Sequence, residues 1–111
     1  MGGSVNMRMK ELEGENILAI ELPADESYLK FVVSAPESSE YSTLNARFFN
    51  SNGLKVEVEF LTLHLNLLWD SDDNSVTLGE FEYVDLVDGG YLISGDFGQV
   101  MVRCNSCSPN I

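Results

Sequence analysis

Lys55–Trp69 reads KVEVEFLTLHLNLLW, and the reading of this stretch decides the fold. Val56, Val58 and Phe60 alternate with Lys55, Glu57 and Glu59. From Leu61 the apolar phase flips, so that Leu61, Leu63, Leu65, Leu67 and Trp69 alternate with Thr62, His64 and Asn66. A period of two predicts a strand with one buried and one wet face. The flip between Phe60 and Leu61 needs one extra residue, which a β-bulge supplies. The expectation is one long, bent strand. A strand to Phe60 followed by a Leu-rich helix is the competing reading, since Leu is a good helix former.

The flanks extend a β pattern. NILAIEL (16–22) ends at Pro23 and reads as a strand, and Pro23–Ser27 as a turn. YLKFVVS (28–34) reads as a second strand, able to form a hairpin with the first. Ser34-Ala35-Pro36-Glu37 matches a capping box. A short helix or turn is expected around 36–41 and a strand over 43–49, with a helix running on to Phe49 as the alternative. Asn50-Ser51-Asn52-Gly53 signals a turn. Downstream, 70–75 reads as a polar turn, 78–87 as a strand and Asp88-Gly89-Gly90 as a turn. A return strand over 91–104 is interrupted at Gly95 and Gly98. Residues 1–11 and 105–111 read as flexible segments around a single domain over 12–104. The fold class is mainly β, with α+β as the alternative: an antiparallel curved sheet or partly open barrel with at most one or two short helices.

Charge narrows the function. Among 111 residues, eighteen acidic side chains face six basic ones, for a net charge of −12. No Lys or Arg occurs between Val56 and Val102, a stretch holding ten Asp and Glu residues. Such a surface repels phosphate, so nucleic acid and anionic membrane are poor partners and a basic protein is the expected one. The plainer reading is that the charge keeps the protein soluble. No run approaches eighteen apolar residues, and the first residues lack the apolar core of a signal peptide, so the expected location is the cytoplasm. Gly2-Gly3-Ser4 has the look of a vector remnant.

Motifs for chemistry are sparse. His64 is the only histidine, which leaves nucleophilic catalysis without an obvious base. Cys104 and Cys107 have CxxC spacing, but zinc needs four ligands and only His64 is left to add. Asp70-Ser71-Asp72-Asp73-Asn74 begins like a calcium loop, then places Ser75 where the glycine belongs and Phe81 where the bidentate glutamate belongs. Asp96-Phe97-Gly98 matches a kinase metal-binding tripeptide with none of its companions. No catalytic residue, cofactor or metal is expected, and the protein reads as a non-enzyme.

The pairs Glu57/Glu59 and Glu80/Glu82 each share a sheet face. If 55–60 paired with 78–87, all four would form one carboxylate patch. Trp69, Tyr83 and Asp70, Asp72 and Asp73 would complete an acidic surface with aromatic anchors. Encounter speeded by charge and a buried aromatic hot spot suit a basic protein partner.

Across residues 44–97 the order NSNGLKVEVEF, LTLHLNLLWD, GEFEY, a Gly-Gly turn and YLISGDF resembles small bacterial immunity proteins of the WapI-associated type. The resemblance implies a mostly β domain that neutralises a cognate toxin, with a helical Leu-rich part, and carries no functional residue onto this chain. The expected function is an acidic protein-binding inhibitor that covers the site of a basic toxin or nuclease. Its rivals are a homodimeric acidic secretion chaperone, a phage inhibitor that mimics DNA charge, and a small-ligand β-barrel lined by Leu63, Trp69 or Phe81. The oligomeric state stays open.

Overall fold

A computed structural model describes residues 8–72 and 75–110. The chain is mainly β. Its strands are β1 (Glu15–Glu21), β2 (Tyr28–Ser34), β3 (Thr43–Phe49), β4 (Glu57–Leu63), β5 (Leu68–Asp70), β6 (Ser75–Thr77), β7 (Glu80–Val87), β8 (Gly90–Gly95), β9 (Gly98–Arg103) and β10 (Ser106–Asn110). Eight form one antiparallel sheet in the order β10-β3-β2-β1-β7-β8-β9-β4, and β5 pairs with β6 in a separate ribbon. The sheet is curved and does not close, so among the described residues β10 and β4 are its free edges.

β1 joins the two halves of the sheet. Its Ile17–Glu21 part pairs with β2, and its first two residues pair with β7. The halves fold over one core. Alternate residues of β2 and β3 point inward (Leu29, Phe31 and Val33; Leu44, Ala46 and Phe48) and are essentially inaccessible. They meet Phe81, Ile93, Val100 and Val102 from the other half. Phe31 is the hub, with ring centroids 5.4 Å from both Phe81 and Phe97 and 6.0 Å from Phe48, spacings at which tilted aromatic pairs attract.

Sequence and structure agree on β2, β3 and the β1–β2 hairpin. They also agree at the bulge: the β4–β9 register runs Phe60↔Val100 and then Thr62↔Gln99, leaving Leu61 as the extra residue.

Five expectations are corrected. First, the long strand over 55–69 stops at Leu63, and the segment is not a helix either. β9 begins at Gly98, opposite Leu63, so beyond that point β4 has no ladder to extend. His64 N–H still reaches the carbonyl of Phe97 at 2.6 Å, after which the chain runs free to β5. Second, 91–104 is a hairpin rather than one interrupted strand. Gly95 pairs with Gly98 across a two-residue turn. A Cβ on Gly95 would stand 2.2 Å from the Glu80 carbonyl, so only glycine allows β8 to approach β7 there.

Third, the proposed flexible ends are anchored where described. Met9–Leu12 form a 3-10 turn that buries Met9 and Leu12, while residues 1–7 lie outside the described part. β10 pairs with β3 along its full length. Pro109 is buried there, and on an edge strand its missing N–H costs no ladder bond. Fourth, the capping-box match at Ser34 caps no helix; of the short helix or turn expected around 36–41, the turn is what forms, with bends after it. Fifth, β4 does not pair with β7, because β8 and β9 stand between them.

Candidate functional site

Placing β4 at an edge decides what its side chains can do. Its ladder partners sort them onto two faces. Val58 and Phe60 lie opposite the buried Val102 and Val100, and after the bulge Leu63 returns to that same inward face. Glu57, Glu59 and Thr62 occupy the outward face. The inward face of an edge strand meets core on one side only. Phe60 is 39% exposed and Leu63 48%. The chain beyond continues the apolar strip with Leu65, Leu67, Leu68 and Trp69, the last 63% exposed and directly opposite the exposed Val76 in the β5–β6 ribbon. An exposed apolar strip of this kind is a candidate contact surface.

Beside it lies an apolar groove of ≈ 250 Å³. Ile20 and Leu22 from the end of β1 and Leu29 of β2 form one wall; Phe60, Leu63 and Leu65 form the other. It opens between the end of the β1–β2 hairpin and the β4 edge of the sheet.

A larger cleft of ≈ 640 Å³ lies between β1, the 35–42 loop and the β5–β6 ribbon. Its rim carries Glu15, Glu37, Asp70, Asp72 and Glu80 and no basic residue. Asn16 Nδ2 donates to Asp70 Oδ2, and Asp72 N–H donates to Asp70 Oδ1 at 2.9 Å, so Asp70 organises the ribbon turn. Asp96 Oδ2 accepts from Glu80 N–H at 2.8 Å, tying the start of β7 to the β8–β9 turn. A hollow of ≈ 290 Å³ on the neighbouring side brings Trp69 together with Asp70, Glu80 and Asp96. Among the described residues, no group of three or more His, Cys, Asp or Glu is arranged to hold a metal ion.

Four of the six cations have partners elsewhere. Lys10 lies 3.2 Å from Glu13 and 3.7 Å from Asp85, Lys30 lies 3.4 Å from Glu21, and Arg103 Nε lies 3.9 Å from Glu57. Arg47 packs over the Tyr28 ring at 4.3 Å. Among the described residues, Glu37, Glu59, Asp72, Glu80 and Glu82 have no salt-bridge partner.

The expected site is therefore split. Asp70, Asp72 and Glu80 share one cleft, with Trp69 around its edge. Asp73 lies outside the described residues. Glu57 and Glu59 sit three strand spacings from β7, about 14 Å away. Glu82 is the exposed extra residue of a β7 bulge between Phe81 and Tyr83, and Tyr83 faces outward opposite Ser94. The barrel lining expected from Leu63, Trp69 and Phe81 is not formed, because Phe81 is in the core while the other two are exposed. Sequence reasoning missed Glu15 and Glu37 at the cleft and Asp96 at the neighbouring hollow, which only long-range pairing brings there. It also missed that the leucines are uncovered. The run Leu67-Leu68-Trp69, apolar on three consecutive positions, was the signal that alternation does not account for them.

The surroundings of the CxxC pair disfavour its reactive form. Cys104 is buried and Cys107 half-buried, both as free thiols, and burial pushes both above their ordinary range. A thiolate is the reactive form, so both are poor nucleophiles at neutral pH. Among the described residues no helix is long and apolar enough to cross a membrane. The chain matches no protein-family model, no curated protein and no solved structure.

Proposed function

We propose that this protein is an acidic inhibitor that binds a basic protein, in the manner of an immunity protein against a basic toxin or nuclease, and covers that partner's working surface. The observation that carries the reading is the conjunction of an exposed apolar strip, Phe60 to Trp69, with the carboxylates of Glu37, Glu59, Asp72, Glu80 and Glu82, which have no salt bridge among the described residues. The apolar strip supplies buried area, with Trp69 as its aromatic anchor. The carboxylates supply attraction at a distance and reject acidic partners.

The test is capture of partners on the immobilised protein from lysate of its source organism at low salt, followed by titration of the purified basic partner. A 1:1 complex whose affinity falls with ionic strength, and which blocks the partner's activity, is the expected result. A complex that leaves the partner active sinks the inhibitor role.

The same exposed leucines favour a second reading, an acidic secretion chaperone that holds an unfolded client. That reading requires a homodimer, so sedimentation of the free protein separates the two.

A further inference from the structure

The two free edges of the sheet are built differently. β10 is five residues long and carries Pro109, which blocks further pairing. β4 is seven residues long, contains no proline, and among the described residues has β9 as its only sheet neighbour. In an antiparallel ladder every second residue turns its N–H and C=O away from its partner, so the outer side of β4 presents unpaired backbone groups. Its two faces are chemically opposite: the inward face leads into the apolar groove, and the outward face bears Glu57 and Glu59.

We propose that the β4 edge is a strand-addition site for an extended cationic segment of the partner. This deepens the proposed function and rests on it. The incoming backbone pairs with Glu57–Leu63. Its alternate apolar side chains enter the groove walled by Ile20, Leu22, Leu29, Phe60, Leu63 and Leu65. The intervening Lys or Arg side chains lie on the other face, against Glu57 and Glu59. Strand addition draws affinity from backbone bonds and specificity from pockets for alternate side chains, which is the arrangement present here.

Charge selects the occupant. A second copy adding antiparallel to β4 sets the Glu57/Glu59 face of one chain against that of the other, and like charges directly opposite are destabilising. Each chain also brings a net charge of −12. A cationic strand meets the same carboxylates favourably. Among the described residues Glu59 has no salt bridge to give up, and Glu57 exchanges only a surface contact of 3.9 Å with Arg103.

The probe is a synthetic ten-residue peptide alternating Lys with Val or Leu, titrated at low salt into the full ¹⁵N-labelled chain. Two controls have the same length: one with Glu in place of Lys, and one with the Lys and apolar residues in separate blocks. The alternating cationic peptide is expected to bind at least fivefold more tightly than either control. Amides of residues 57–63 should shift and gain protection from hydrogen exchange. Leu63→Asp and Glu59→Lys should each weaken binding at least fivefold, with the spectrum of the free protein otherwise preserved. Equal binding of the blocked peptide overturns strand addition. So do shifts confined to the Asp72–Glu80 cleft, or a free protein that sediments as a dimer with protected β4 amides. If a captured basic partner binds Leu63→Asp and Glu59→Lys as tightly as the parent, this site fails while the proposed function stands. If neither the peptides nor any basic protein binds, both fail.

Discussion

Leu63 of β4 lies opposite Gly98 of β9 at the last position of their ladder, and a glycine there leaves the leucine uncovered. The glycine is required. Gly98 has φ +120°, and a Cβ on it would stand 2.4 Å from the Thr62 carbonyl. The close approach that makes the bulged end of β4 possible is thus the same feature that exposes the groove.

Gly98→Ala should therefore destabilise strongly. It combines a left-handed φ with a backbone clash that no rotamer relieves. A loss of about 2–4 kcal/mol is expected, read from the midpoint of urea unfolding. Gly53 is the control: it also has positive φ, but open space surrounds its Cβ position, so Gly53→Ala should cost about 1 kcal/mol. Equal effects would mean that the Thr62 contact relaxes easily.

The leucines of the apolar strip should contribute almost nothing to stability. Leu65 and Leu67 are 56% and 74% exposed, whereas Phe31 is inaccessible and touches three other rings. Leu65→Ser and Leu67→Ser should each stay within about 0.5 kcal/mol of the parent. Phe31→Ala should cost about 3–5 kcal/mol. Thermal unfolding of the three variants decides the point. A large loss at Leu67 would place that residue in the folding core and remove it from the contact surface.

How far the sequence could be read follows from these same residues. Alternation located β2 and β3 and placed the bulge at Leu61, because period and phase are local properties. It assigned Leu63 to the face of Phe60, and that was right. Alternation does not say whether anything lies across from a face. That depends on strand order, and β4 at an edge has an inward face with half a core. The carboxylate patch failed for the same reason: Glu57 and Glu80 were placed together by a pairing that β8 and β9 prevent. The Gly95–Gly98 turn and β10 were lost because glycine and proline were read as interruptions. Here one pair permits a tight hairpin, and Pro109 sits on an edge where it is harmless.

Alkaline pH should destabilise the fold before it affects much else. Burial, and then a hydrogen bond with Cys107, push the Tyr91 hydroxyl from its ordinary 10 up to about 12. Burial also raises Cys104 and Cys107 above 9. Each group is neutral when protonated, and the fold holds that form more firmly than the unfolded chain does. Their stabilisation is fully present below pH 9 and is lost as pH rises through the folded values, up to about 12 for Tyr91. Unfolding midpoints should be flat with respect to these groups from pH 7 to 9 and then fall. Tyr91→Phe should flatten the part of the fall above pH 10. A thiol reagent at pH 7 should label the native protein far more slowly than the unfolded one. Rapid labelling would show that Cys104 and Cys107 open to solvent.

Association with the captured basic partner tests the carboxylates directly. Glu80 rims the acidic cleft and Glu82 projects from the β7 bulge, and among the described residues neither has a salt bridge to lose. Reversing both to Lys changes the charge by two units each, from −12 to −8, and should leave the unfolding midpoint within about 0.5 kcal/mol of the parent. At low ionic strength the association rate should drop about tenfold, since steering follows the field over the whole face. The dissociation rate should change less, because exposed rim charges contribute little once the apolar strip is buried. Near 0.5 M salt the screening length is only about 4–5 Å and the two proteins should associate at similar rates. Stopped-flow mixing across this salt range reads both rates. An unchanged association rate at low salt would take the cleft out of the approach path and leave Glu57 and Glu59 on β4 as the carboxylates to reverse next.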